Sequence, residues 1–332
     1  MSEVKTVTEP VNSKSKKSSL LRLLNIPEVG LVIPLLLLVV IIGLVNPTFF
    51  GFENLINILR NTAFTFIVGI AMTFVLISAG LDLSVGSLIA LGGVVTGLAL
   101  KAGVPIPLSI LLGLALGAII GLINGFTIIR FNIPPLIVTL GMLYAARGAV
   151  LVLTQGAPVY PLPPAFNVIG QGDLAGIPYV VIIAAVLAVL AHIVLTRTTY
   201  GRAVYALGGN EETARLSGIN INRIKLSVYV LTGMASAFTG MLMAARLASA
   251  QANAGTGWEL QVIAAVIIGG TSMFGGSGSI LGSLLGAFFM NVVATGMILM
   301  RISAYWQDLV IGAIIVVAVG IDQFRRRHAG LN

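Results

Sequence analysis

The chain has 332 residues, 57% of them hydrophobic and only 9% charged, with a mean hydropathy of +1.04. A soluble domain carries about 25% charged residues, so composition excludes one and indicates a multi-span membrane protein. The net charge of +8 does not point to nucleic acid, because the basic residues sit at the ends of apolar runs, where they set membrane topology.

In chain order, residues 1–28 carry Lys5, Lys14, Lys16, Lys17 and Arg22 among Ser, Thr and Asn and read as a disordered cytoplasmic arm. The arm is not a cleaved signal peptide, since no small-residue cleavage pattern follows the first apolar span. Residues 29–323 read as one all-α integral membrane domain of about ten transmembrane helices, some of them interrupted. The spans run roughly Val29–Val45, Thr62–Ala79, Leu88–Leu100, Leu108–Ile129, Leu136–Thr154, Tyr179–Leu195, Leu226–Ala245, Trp258–Gly270, Ile280–Met300 and Trp306–Ile321. A Pro/Gly-rich loop fills Gln155–Pro178, and a polar insert, 196–225, separates the sixth span from the seventh. Residues 324–332 form a basic cytoplasmic tail.

Alternation from a cytoplasmic N-terminus places fourteen of the nineteen Lys and Arg residues inside; only Arg60, Lys101, Arg147, Arg246 and Arg301 fall outside or within a span. This bias puts both termini and the 196–225 insert in the cytoplasm. Trp258 and Trp306 fall at outer span ends, as interfacial anchors do. Arg147, near the outer end of the fifth span, is placed to snorkel. The stretch from Ile77, ISAGLDLSVGSLIALGG, can be laid over that from Ile268, IGGTSMFGGSGSILGSL. Gly-rich interruptions in matching positions point to a transport path. Gly113, Gly117, Gly121 and Gly125 recur every four residues on the fourth span, and Gly278, Gly282 and Gly286 repeat the device on the ninth; such seams suit close helix approach, within the subunit before a contact with a second copy.

Within the insert, GGNEETARLSGIN predicts a short helix. Asn210 is its N-cap, Glu211 and Glu212 fall in the first turn where negative charge suits the dipole, and Gly218 is the stop. Paired acids and small residues (Ala214, Ser217, Gly218) suit a protein groove better than lipid headgroups. Asp82 stands between two spans, where a carboxylate is costly and usually functional. Either Asp82 or Ser84 also suits capping of the third span. Gln251, Asn253, Trp258, Glu259 and Gln261 group near the mouth of the eighth span, where amides and an aromatic face suit a sugar. With no cysteine, and His192 far from His328, no metal site is expected. No G-x-x-x-x-G-K-[S/T] occurs, so ATP must be used by a partner.

Glu212-Thr213-Ala214-x-x-x-Gly218 resembles the E-A-A-x-x-x-G loop of ABC importer permeases, with Thr213 in place of the second alanine. GLDLSVGS, ALGGNEETARLSGI and AGTGWELQVIAAVIIGGTSMFGGSGS resemble the ribose-type sugar permeases, which group with branched-chain amino acid permeases. The resemblance covers about 49–322. It implies a transport subunit, not an enzyme, in the bacterial cytoplasmic membrane. Its ATPase-coupling residues would be Gly208, Gly209, Asn210, Glu211, Glu212, Thr213, Ala214, Arg215, Leu216, Ser217 and Gly218. The translocation path would include Asp82, Ser84, Trp258, Glu259, Gln261 and Thr271, and Arg60, Arg246 and Arg301 would dock an external binding protein. The expected partners are an ABC ATPase that uses ATP and Mg, a sugar-binding protein, a second permease copy and the bilayer, but not nucleic acid. No cofactor is expected on the chain itself. An ion-coupled secondary transporter is the competing class, but it would need more intramembrane acids and histidines than Asp82 supplies.

Overall fold

The computed structural model describes residues 27–303 and 305–328. In chain order the helices are α1 (Pro27–Val45), α2 (Phe52–Ile77), α3 (Val85–Lys101), α4 (Ile106–Phe131), α5 (Pro135–Thr154), α6 (Pro164–Gln171), α7 (Tyr179–Arg197), α8 (Thr199–Gly209), α9 (Glu211–Leu216), α10 (Ile221–Leu247), α11 (Trp258–Ile268), α12 (Ile280–Leu299) and α13 (Tyr305–His328). A 3-10 turn, Pro47–Phe50, links α1 to α2, and a two-residue hairpin, β1 (Asp173–Leu174) with β2 (Ile177–Pro178), precedes α7. The expected arm at 1–28 lies outside the described residues except for its last two positions, which belong to α1. Residues 324–328 of the expected tail continue α13, and 329–332 lie outside the described residues.

Each apolar segment is helical because a chain removed from water must pair its N–H and C=O groups within the segment. Among the described residues, α2, α4, α5, α7, α10 and α12 are long and apolar enough to cross a membrane, and α1, α3 and α11 contain shorter apolar helices. Burial and hydropathy sort them in opposite orders. The most apolar window of α2 is 83% buried, whereas those of α5 and α7 are each 17% buried. The three most buried of the six, α2, α10 and α12, are the least apolar, and the three least buried, α4, α5 and α7, the most apolar, because a lipid-facing surface must be apolar whereas packed helix faces are rich in small and polar residues.

The core is built on α10. Backbone runs against backbone where its glycines meet those of α4 and α3: a Cβ on Gly117 or Gly233 would overlap the other's carbonyl, and one on Gly240 would overlap the Ile89 carbonyl. The four-residue glycine seam of α4 is therefore a contact within the subunit. On α12, Gly282 and Gly286 bring the helix onto Gly269 and Ala265 in the same way. Gly278 belongs to the loop before α12, not to the helix.

Two elements differ from the sequence reading. α2 begins ten residues before the apolar run at Thr62, because FENLINILRN is amphipathic: Ile58 is buried while Phe52, Glu53, Asn57 and Leu59 are exposed. The Pro/Gly-rich loop contains α6, started by Pro163 and Pro164 and seated on Arg246 and Ala245 through Gly170.

Candidate functional site

The insert 196–225 forms two helices meeting at Asn210. The α8 helix starts where the Thr198 hydroxyl accepts the Gly201 N–H at 3.1 Å. For α9, the Asn210 side chain accepts the Thr213 N–H at 2.8 Å. Its other end closes with Gly218 N–H on the Arg215 carbonyl and Ile219 N–H on the Ala214 carbonyl, at 3.0 and 3.1 Å. Gly218 sits at φ +80°, the left-handed conformation this double closure requires. The predicted cap and stop are both found.

The side chains divide α9 into two faces. Ala214 is 3% exposed and faces inward, so it is part of the subunit's own packing and does not enter a partner groove. Glu212, Thr213, Arg215, Leu216, Ser217 and Gly218 are exposed, with Leu216 at 80%. Glu211 is engaged within the chain, 2.7 Å from Lys225 Nζ and 3.1 Å from Arg215. Gly209 is exposed, whereas Gly208 packs against the end of α2.

Asp82 lies in the break between α2 and α3 and is fully buried. Its Oδ1 accepts the Ser84 N–H at 2.9 Å and the Ser84 hydroxyl at 2.6 Å. Asn124 Nδ2 donates to Ser84 Oγ at 3.1 Å. Asp82 Oδ2 and Asn124 Oδ1 are buried with no hydrogen-bond partner among the described residues. The capping expectation is modified: Ser84 occupies the N-cap position of α3 but makes no side-chain cap bond, and Asp82 reaches only the N–H two residues on. The hydroxyls of Tyr229 and Thr139 reach the neighbouring Leu81 carbonyl at 3.4 and 3.5 Å. A pocket of about 560 Å3 opens below the break, lined by Ser78, Gly80, Asn132, Glu211, Lys225 and Tyr229 among others.

Gln251, Asn253, Trp258, Glu259 and Gln261 were expected together at an outer mouth, and the structure turns this segment deeper after Ala250. α3 and α10 lie side by side with Gly93 against Gly240. Gly86 is seven residues before the one and Leu247 seven after the other, so their levels differ by about 20 Å at 1.5 Å per residue. Yet a Cβ on Gly86 would overlap the Gly255 carbonyl and Glu259 Oε2. The loop after α10 therefore turns back into the bundle, and α11 starts inside it. Arg147 does not snorkel: its Nη1 donates to the carbonyls of Ala252 and Ala254, at 3.0 Å each, and pins the returning loop. Trp258 is half-buried and packs on the main core cluster instead of anchoring at an interface, while Trp306 is exposed. Gln261 is also half-buried on α11. Gln251 and Asn253 line a separate pocket of about 300 Å3 with Arg147 and Thr256.

Thr271 lies apart from this group, buried in the second break (269–279) against Gly278, and its Oγ1 has no hydrogen-bond partner among the described residues. Of the expected docking cations, Arg301 is exposed but Arg60 and Arg246 are half-buried neighbours. Arg246 bonds Asn61 Oδ1 at 2.7 Å and lies over the Phe64 ring. The sequence reading passed over Asn124, Tyr229 and Tyr205. Asn124 carried a usable signal, an amide within the otherwise apolar run of α4.

The model for the family described as "Branched-chain amino acid transport system / permease component" matches residues 54–319. The chain belongs to this permease family. Among its relatives, the ribose import permease protein RbsC of Escherichia coli (strain K12) is 41% identical over 294 residues, covering 87% of this chain and 92% of the relative. RbsC of Bacillus subtilis (strain 168) is 38% identical over 298 residues, covering 89% and 92%. The xylose transport system permease protein XylH of Escherichia coli (strain K12) is 34% identical, covering 83% and 86%. No solved structure matches the chain. As a permease of this family with apolar helices long enough to cross a membrane, the chain is a multi-pass membrane protein with a transport role.

Proposed function

We propose that this permease is the membrane-spanning subunit of an ATP-driven importer for a ribose-type monosaccharide. The observation that carries the reading is its 38–41% identity to ribose import permeases over nearly the whole length of both chains. The exposed, doubly closed α9 supports a cytoplasmic docking surface for an ABC ATPase, with Glu212 and Leu216 four residues apart on its exposed face. ATP and Mg are then handled by that ATPase, and this chain makes and breaks no covalent bond. A second copy of the permease completes the channel in the bacterial inner membrane. About ten crossings with both ends in the cytoplasm fit the distribution of Lys and Arg.

The sugar arrives from an external binding protein, docked with help from Arg60, Arg246 and Arg301, of which Arg301 is the most accessible. Asp82 with Ser84, Trp258, Glu259 and Gln261 on α11, and Thr271 mark the breaks and the inward-turned segment of the path. The buried acceptors Asp82 Oδ2 and Asn124 Oδ1 are what sugar hydroxyls need when the path opens, since a hydroxyl released from water needs a partner.

The test is uptake of radiolabelled ribose into proteoliposomes holding the permease, its ATPase and its binding protein, with xylose as the comparison. We expect uptake that requires ATP and the binding protein, with ribose preferred. Uptake driven by an ion gradient without ATP, or a permease that retains no ATPase on purification, would sink the reading in favour of a secondary transporter.

A further inference from the structure

We infer that the last turn of α8 ties α9 to both helix breaks at once, with Tyr205 and Gly208 as the positioning residues. This rests on the proposed role of α9 in meeting an ATPase. The two breaks are far apart in sequence but joined in space: the Gly276 N–H, in the second, donates to the carbonyl of Ile77, which ends α2 at the first, at 2.9 Å. Gly208 sits on that junction. A Cβ there would overlap the Ile77 carbonyl and lie 2.6 Å from Gly276 N. One turn earlier, the Tyr205 hydroxyl donates to the Gly278 carbonyl at 2.7 Å.

Main chain meets main chain at this junction, with no intervening side chain whose rotamer could take up a displacement. Close-packed contacts of that kind transmit movement and do not absorb it. Only Gly209 and Asn210 separate Gly208 from α9, and the Glu211–Lys225 pair holds the start of α9 to α10. A shift of α9 toward or away from the bundle therefore moves Ile77 and Gly276–Gly278 together. Beyond Ile77 lies Asp82, and the second break holds Thr271; both carry a buried oxygen with no hydrogen-bond partner among the described residues. One cytoplasmic movement thus reaches two polar points of the path in a fixed relation.

The experiment uses the complete importer in proteoliposomes, with ribose as the probe, and reads three quantities: ATPase retained on purification, ATP hydrolysed, and ribose moved per ATP. The variants are Tyr205→Phe, Gly208→Ala and Tyr200→Phe. Tyr200, on the same helix, shares a hydrogen bond of the same length with the Ser227 hydroxyl of α10, at 2.7 Å. Tyr205→Phe should retain the ATPase and hydrolyse ATP while ribose moved per ATP falls about fivefold, the factor for one hydrogen bond. Gly208→Ala should lower it further, and Tyr200→Phe should keep the parental ratio. An unchanged ratio in Tyr205→Phe, an equal fall in Tyr200→Phe, or loss of the ATPase from Tyr205→Phe would overturn the inference. If Gly208→Ala does not reach the membrane, Tyr205→Phe decides alone, because it keeps the ring and removes only the hydroxyl. Failure of the proposed function reads differently: the unmodified permease would itself retain no ATPase or move no ribose with ATP.

Discussion

At single positions, the local rules of chain ends explain why α9 was readable in advance. Asn210 and Gly218 act on residues within four of themselves, so their roles need no tertiary information. Gly218→Leu forces a branched side chain into the left-handed region, at about 1–2 kcal/mol. Leu216→Asp places a charge on the most exposed apolar tip of α9, and loss of an interface anchor costs about 2 kcal/mol or more. Both variants should reach the membrane in normal amounts, bind the ATPase more weakly in a pull-down, and lose ribose uptake. Normal assembly and uptake in both would leave α9 as a mere tether. Asp82 was legible as a buried carboxyl, but not Asn124, which donates to its partner Ser84 from 40 residues further along the chain. Asp82→Ala should destabilise by about 1–3 kcal/mol, since the buried Ser84 N–H and O–H lose their acceptor. Asp82→Asn keeps an acceptor for Ser84 and should retain thermal stability while lowering uptake; unimpaired uptake would remove Asp82 from the path. The hydrogen bond from Lys225, aided by the charges of Lys225 and Arg215, holds the Glu211 carboxyl below the ordinary carboxylate range. Because its folded-state value is depressed, the stabilisation is complete above the unfolded value near ~4.3 and is lost as pH falls through the folded one. The advantage over Glu211→Gln should therefore hold from pH 8 to 6 and be lost only as pH falls below the ordinary carboxylate value. Solvent screening limits it to about 0.5 kcal/mol, read from thermal unfolding of both proteins across that range.

At the scale of elements, hydropathy located the apolar helices well and the loops poorly. Hydropathy alone starts α2 too late because FENLINILRN carries Glu53, Asn54, Asn57 and Arg60, whose polarity reads as a loop. α6 was hidden by Pro163 and Pro164, which look like breakers but here start a helix. The inward turn of 249–257 was invisible for a different reason: span alternation assigns every connection to a surface and has no term for a loop that returns. What holds that loop is Arg147, whose two carbonyl bonds join residues more than 100 positions apart. Arg147→Met keeps the bulk and removes the donors, leaving the Ala252 and Ala254 carbonyls without them. It should cost about 2 kcal/mol or more and lower uptake, with the ATPase still bound because α9 is untouched. Thermal unfolding and pull-down on the same preparations check both parts.

For the molecule as a whole, orientation is the expectation the Lys and Arg count carries furthest, and the absence of cysteine makes it directly testable. A single cysteine at exposed Asn222 should react with an impermeant maleimide only in inverted vesicles, and one at exposed Ala157 only in intact spheroplasts. The opposite pattern would reverse the assignment of every loop. The closure of α9 at both ends by its own chain has a kinetic side. A segment that must fold as it binds loses about 2–5 kcal/mol of its interaction energy to ordering, whereas α9 is already a fixed shape before any partner arrives. Its meeting with an ATPase is then a collision of two finished surfaces, at the ordinary protein–protein rate of about 10⁵–10⁷ M⁻¹s⁻¹. An importer stripped of its ATPase should recover as fast as the two surfaces find each other, and a weakened surface should show itself in how long the pair stays together.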